Sequence, residues 1–361
     1  MSKQKKTAES EELKNEEIKT HSRKKKKKKK HIFLKIVLIL LAIIAIVAGI
    51  IVGYGYSKLS MLNYDEIDKN EIEVNEGVET ATGYRNILLL GVDSRQNDYS
   101  NALSDSIMVV SLNQDEKKVK IASLYRESYL KIGTSLDKLT HAYAKGGAKL
   151  SLSTINTNLD LDLTEYVAIN FNVVVDVVNA VGGITMEITS QEAKYINAYI
   201  DEVNRVTKHN SSHITKAGTY KLDGVQALAY ARIRYTDGGD YKRTERQRDV
   251  LNLVFAKVKK MNLIELNNIA DMVLKEISTN ISGSDIIGLL SQVASYEIEE
   301  TTGWPYDVKG YQPNGVWYGA PVNLEKQVVQ LHEFLFGEED YQVSSNVKAI
   351  SDEIIKKTGY K

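Results

Sequence analysis

The chain has 361 residues, with 47 Lys+Arg balanced by 47 Asp+Glu and no cysteine. The lack of cysteine excludes disulfides, thiolate metal sites and cysteine nucleophiles together, so the fold must hold through its core. The zero net charge hides an asymmetry: positions 1–55 carry 14 basic and 5 acidic residues, leaving 33 basic and 42 acidic beyond them. An acidic body argues against a broad nucleic-acid surface and for local anion pockets wherever arginines cluster.

In chain order, the first feature is Arg23 followed by an unbroken run from Lys24 to Lys30, then Ile36 to Gly55 without a charge. About twenty apolar residues at ~1.5 Å each span a hydrocarbon core of roughly 30 Å. The basic flank keeps the N-terminus cytoplasmic. The run is longer than a signal-peptide core and no small-x-small cleavage site follows it. We therefore expect a cytoplasmic basic tail over 1–35, a transmembrane helix over 36–55, and everything after it outside a cell membrane. The inner tail is too short and lysine-rich to form a DNA-binding domain. Residues 56–83, polar and weakly periodic, read as an extracellular linker.

From Asn86 the pattern changes. Ile87 to Val92, Ile107 to Leu112 and Val119 to Leu124 are apolar runs that read as buried strands, with a hairpin turn over Asn113 to Lys118. Helical spacing follows at 140–149 and 150–159, a strand at 166–170, a helix at 172–180 closed by Gly182 and Gly183, and a strand at 184–188. Further helices are expected at 191–208, after the N-cap Asp223 through Tyr230, and at 243–260 with Val250, Leu251, Val254 and Val258 inward. This alternation predicts an α/β domain over 84–300, with helices on both faces of one mixed sheet. The tail, 301–361, lacks regular periodicity until a last helix at 324–336 and is expected to pack on the domain as an extension.

Chemistry concentrates in two places. Gly91-Val92-Asp93-Ser94-Arg95 ends one strand and Asp105 starts the next. Strand ends are where layered α/β proteins meet ligands, and two carboxylates plus phosphate oxygens suit Mg²⁺. Taken singly, each Asp reads equally well as a turn cap. The second place is the arginine-rich stretch with Arg232, Arg234, Asp240, Arg243 and Gln247, interrupted by Gly238 and Gly239. Arg243, Arg246 and Gln247 share a helix face, and planar guanidinium groups match phosphate oxygens two at a time. Arg126 and Lys138 would join them in a basic pocket if the fold brings them together. Nucleophile-elbow, zinc-helix and Walker motifs do not occur.

Over roughly residues 84–260 these motifs resemble the LytR-CpsA-Psr family of Gram-positive cell-envelope phosphotransferases. The resemblance rests on Asn86 through Arg95, Ser104 through Ile107, Ala122 through Glu127, Lys138 through Gly147, Val181 through Gly183, Leu222 through Leu228, and Arg232 through Gln247. It implies a three-layer α/β/α sandwich with a central mixed sheet, holding a polyprenyl-pyrophosphate lipid with its tail in an apolar tunnel. The activity implied is transfer of an anionic glycopolymer, such as teichoic acid or capsule, from that lipid to peptidoglycan. By position, Asp93 and Asp105 match the side that binds Mg²⁺ (Mn²⁺ in its place). Arg126, Arg232, Arg234, Arg243 and Gln247 match the pyrophosphate grip, and Arg95, Lys138 and Asp240 match further polar positions. Catalysis is thereby expected from Asp93, Asp105, Arg126, Arg232 and Arg243. The attacking hydroxyl's base stays open among Asp93, Asp105 and Asp240. This chain departs from the family at Tyr125 and Glu127, where Pro and Asp are common. Two other readings compete: a non-catalytic polyprenyl-phosphate scaffold or regulator, and a lipid pyrophosphatase.

Overall fold

The computed structural model describes residues 63–93, 99 and 102–361. The transmembrane helix expected at 36–55 and the basic tail before it lie outside these residues. No helix among the described residues is long and apolar enough to cross a membrane.

The strands and helices follow in chain order: β1 (Asn63–Tyr64), β2 (Tyr84–Val92), β3 (Ser104–Asn113), β4 (Lys118–Leu124), β5 (Tyr129–Ile132), β6 (Ser135–Lys138) and α1 (Thr140–Leu159). Next come β7 (Glu165–Ile169), α2 (Phe171–Ala180), β8 (Ile184–Ile188), α3 (Ser190–Thr207), β9 (Gly218–Leu222), α4 (Gly224–Arg232) and α5 (Gly239–Val258). The remainder is α6 (Leu263–Val273), β10 (Ser278–Thr279), α7 (Gly283–Gln292), β11 (Glu297–Trp304), β12 (Val308–Tyr311), β13 (Tyr318–Pro321), α8 (Leu324–Phe336) and α9 (Ser345–Thr358). The two helices expected at 140–149 and 150–159 are one element kinked at Gly146 and Gly147.

Seven strands form the central sheet in the order β1-β10-β7-β2-β3-β4-β11. β7 runs parallel to β2, β3 is antiparallel to both its neighbours, and β11 runs parallel to β4. The sheet is therefore mixed, as the sequence predicts. Side chains alternate across it. Leu88, Leu90, Val109 and Leu124 join α1, α8 and α9 in one core through Leu152, Leu331 and Ile354. Met108, Val119 and Ile121 meet Leu251 and Phe255 of α5 on the other face. A further core joins α2, α3, α4 and the β8–β9 hairpin.

Three expectations need correction. The boundary at 300/301 falls inside β11, a strand of the central sheet, whose sequence Glu-Ile-Glu-Glu-Thr-Thr-Gly-Trp is polar because an edge strand is half solvated. The helix at 324–336 is not the last: α9 follows, and its Val347, Ile350 and Ile354 enter the main core at helical spacing. The 56–83 stretch is no free linker from residue 63 onward, since β1 pairs with β10 and Ile72 sits in the main core. The strand at 184–188 forms with the expected bounds but pairs with β9 in a separate hairpin.

Candidate active site

The site grows from three strand ends and two helices. β2 and β7 are parallel, so Gly91 at the end of β2 stands beside Ile169 and the following Asn170. β3 enters from the other side, and the register shift between Gly91 and Val92 leaves Asp105 as the extra residue between Ser104 and Ser106. Such a bulge turns a side chain out of the regular alternation. From below, α4 starts with an Asp223–Gln226 capping box and ends at Arg232. Gly238 and Gly239, both with positive φ (87° and 50°), reverse the chain into α5. The helix begins four residues earlier than its expected start at Arg243, so Asp240 occupies the first turn and Arg243 the second.

This geometry gathers five of the expected residues into one charge cluster. Arg126 Nη1 donates to Asp105 Oδ1, and Arg126 Nε lies 3.7 Å from Asp240 Oδ1. Arg234 stands 3.8 Å from Asp105 Oδ1 and 3.9 Å from Asp240 Oδ1. Arg243 Nη2 meets Asp240 at 3.0 Å and donates to the main-chain oxygen of Asp105 at 3.2 Å. Lys138 joins one step out: its ammonium pairs with Glu127, which also takes Arg126 Nη2 at 3.1 Å. Glu127, at a position where the family commonly has Asp, thus offers one carboxylate oxygen to each of two cations.

Behind the cluster lies a cavity of about 370 Å³. Asp105, Arg232, Arg234, Arg243 and Gln247 line its polar part, while Val173, Val177, Leu251 and Val254 are among its apolar walls. Arg243 is only 2% exposed. Burial lowers its pKa to about 10, with Arg234 and Arg126 pushing the same way and Asp240 opposing, so it remains a cation at neutral pH. Its Nε and Nη1 are buried without a hydrogen-bond partner among the described residues. Arg232 is half-buried: Nη2 meets Glu202 at 3.1 Å, the guanidinium lies 4.5 Å over the Phe171 ring, and Nη1 is buried with no hydrogen-bond partner among the described residues. Each unsatisfied buried donor costs ~1–3 kcal/mol. Three such donors on cavity-lining guanidiniums are matched chemically by the oxygens of an anion.

Asp93 follows β2, exposed, its amide bonded to Leu103 O at 3.2 Å. Arg95 lies outside the described residues. Arg246, on the same helix, does not serve the cavity: it is buried against Glu192, Ile233 O and Thr236, and ties α5 to α3. Glu127, Glu202, Phe171, Tyr199 and Asn170 were not anticipated as site residues. Asn170 carries a legible signal, since it follows a strand and caps the next helix; Glu202 and Tyr199 sit mid-helix and are brought in only by tertiary packing.

An α/β domain with a buried arginine and two half-buried ones at the polar end of an apolar cavity is built to receive an amphiphile with a polyanionic head. The LytR_cpsA_psr family profile matches residues 50–333, and the chain belongs to this family. It is 33% identical over 299 residues to the polyisoprenyl-teichoic acid–peptidoglycan teichoic acid transferase TagT of Bacillus subtilis, covering 79% of this chain and 88% of that one. It is 29% identical over 320 residues to TagV of the same organism, a transferase of the same description, covering 83% and 79%. The crystal structure of B. subtilis TagT superposes with a TM-score of 0.55 at 26% identity, covering 82% of this chain and all of that one. A family protein, YwtF (TagT), with bound octaprenyl pyrophosphate lipid superposes at 0.52 and 25% identity, covering 82% and 100%.

Proposed function

We propose that this chain transfers an anionic glycopolymer from a polyprenyl-pyrophosphate carrier to peptidoglycan. The observation that carries the reading is the buried Arg243, with two unmatched donors, at the polar end of an apolar cavity. The polyprenyl tail lies along Val173, Val177, Leu251 and Val254. The pyrophosphate oxygens take the donors of Arg243 and Arg232, with Arg126 and Arg234 beside them.

In the reaction, a hydroxyl oxygen of the acceptor bonds to the glycan-bearing phosphorus. The bond from that phosphorus to the bridging oxygen breaks, and polyprenyl phosphate leaves with that oxygen. The hydroxyl proton is received by a carboxylate, with Asp93, Asp105 and Asp240 the candidates. Phosphoryl transfer depends mainly on positioning and on neutralising equatorial and leaving oxygens, which the arginine set supplies. Asp105 and Asp240, each held by several arginines, fix the guanidiniums in place.

Asp93 and Asp105 fit a hard divalent cation by donor type. Both arginines on Asp105 meet it at Oδ1, so Oδ2 would be its oxygen for a cation. Mg²⁺ commonly uses one or two carboxylates with phosphate oxygens and water; when bound it would neutralise charge on those oxygens. The cellular placement, single-pass with the N-terminus inside and the domain outside, rests on Ile36 to Gly55 and the lysine run before it.

The test uses the full-length chain with a synthetic polyprenyl-pyrophosphate glycan, Mg²⁺ and a peptidoglycan oligomer, with products followed by mass spectrometry. A glycan–peptidoglycan phosphodiester is expected. Lipid that binds without conversion across a panel of donors would replace this reading with the scaffold, and phosphate release without acceptor would replace it with the pyrophosphatase.

A further inference from the structure

The β12–β13 hairpin carries a concentration of aromatic rings that the charge cluster does not use. Gly310 and Gly319 face each other across it in register. The indole of Trp317 lies over both: a Cβ on Gly310 would stand 2.8 Å from Nε1, and one on Gly319 would stand 3.4 Å from the far edge of the ring. The glycine pair is thus a floor that only the absence of side chains allows. Trp317 remains 39% exposed, with Val316 beside it at 45% and Tyr306 at 37%. On the other face Tyr311 and Tyr318 pack on Tyr129, at 5.3 and 4.8 Å between ring centroids, which stiffens the hairpin from below.

This platform is joined to the charge cluster by the main chain. Gly319 N donates to Glu127 O at 2.8 Å, and Ser128 bridges Gly319. On the hairpin's other face, Lys138 sits 5.5 Å over the Tyr318 ring while its ammonium pairs with Glu127, the partner of Arg126. Exposed indoles favour the C–H faces of sugars for the reason they favour other partly polar rings: a large apolar face with a polar edge. The platform and the cluster thus share Glu127, whose main-chain oxygen holds Gly319 and whose carboxylate holds Arg126.

We propose that the Trp317 platform is the acceptor subsite, binding the glycan strand of peptidoglycan; this rests on the transferase reading above. The sequence has two tryptophans, and Trp304 is fully buried, so a glycan-dependent change in emission reports Trp317. The full-length chain is titrated with a lipid-free peptidoglycan oligosaccharide while tryptophan emission is read, and donor binding is measured separately with a polyprenyl pyrophosphate. We expect a blue shift on adding glycan, abolished in Trp317→Ala. We also expect about a tenfold rise in acceptor KM for Trp317→Ala and for Gly310→Val, with donor affinity unchanged and partial rescue by Trp317→Phe. Transfer with an unchanged acceptor KM in Trp317→Ala, or no emission change at saturating acceptor, overturns the subsite and leaves the transferase reading standing. Failure of the wild-type chain to bind polyprenyl pyrophosphate overturns the transferase reading itself.

Discussion

Arg243 reaches from α5 to the sheet and donates from Nη2 to the main-chain oxygen of Asp105 at 3.2 Å. One hydrogen bond thus fixes the guanidinium relative to the strand end, and the two remaining edges of the group are left for a ligand. Arg243→Ala should lower affinity for polyprenyl pyrophosphate by roughly 10- to 100-fold, the range of a lost charge-assisted hydrogen bond. Arg243→Lys should recover little, because an ammonium cannot keep the Asp105 and Asp240 contacts and still present two donors. Isothermal calorimetry measures both, and wild-type affinity in Arg243→Ala would move the pyrophosphate elsewhere.

Asp93 is exposed, so Asp93→Asn should leave the melting temperature within about a degree while raising the Mg²⁺ concentration for half-maximal transfer. An unchanged Mg²⁺ titration would remove Asp93 from the metal side.

The apolar walls make a length-dependent prediction. Val254→Trp, placing a large ring in the cavity, should weaken binding of a long polyprenyl pyrophosphate much more than that of a two-isoprene analogue. Equal losses for both would show that the tail runs outside the Val254 wall.

Glu192 and Arg246 form a buried pair at 2.9 Å. Burial pushes the Glu192 carboxyl up, but the Thr189 main chain and hydroxyl and the Arg246 guanidinium outweigh it, leaving its pKa below the ordinary glutamate value. A depressed acid stabilises the fold above its unfolded pKa and loses that contribution as pH falls through the folded one. Thermal stability should therefore drop below about pH 4.5, with a shallower slope in Glu192→Gln. Arg246→Ala should cost ~3–5 kcal/mol at neutral pH by stranding the acid; denaturant unfolding measures both.

The C-terminal helix is structural. Ile354 is 1% exposed in the main core, and Ile354→Ala should cost ~2–5 kcal/mol. A chain stopped at Gly337 should fail to give a cooperative melt by circular dichroism.

Sequence reading reached furthest where one element carries its own pattern. β2, β3 and β4 announce themselves as apolar runs, and the Gly238-Gly239 break marks the turn that brings Arg232 and Arg243 together. It reached least where neighbours decide the outcome. β11 shows no strand signal because Glu297, Glu299 and Glu300 face solvent at a sheet edge, so the expected boundary at 300/301 cuts through it. Asn63–Tyr64 is too short to show any period. Arg126, Asp105 and Asp240 could be named as candidates, but their clustering depends on the β2–β3 bulge and on α5 starting at Gly239. Glu127 changed meaning most, from a departure to the bridge between Arg126 and Lys138.

The sheet also sets an order of events in folding. Asn63 pairs with Ser278, and Lys118 pairs with Glu297, so β1 and β4 both wait for partner strands made much later. Loop closure over such separations is slow, and the open edge of β4 is a template for wrong pairing until β11 arrives. The domain is therefore committed to folding after most of its length is available, and its period of greatest vulnerability to aggregation ends only when Trp304 reaches Leu124.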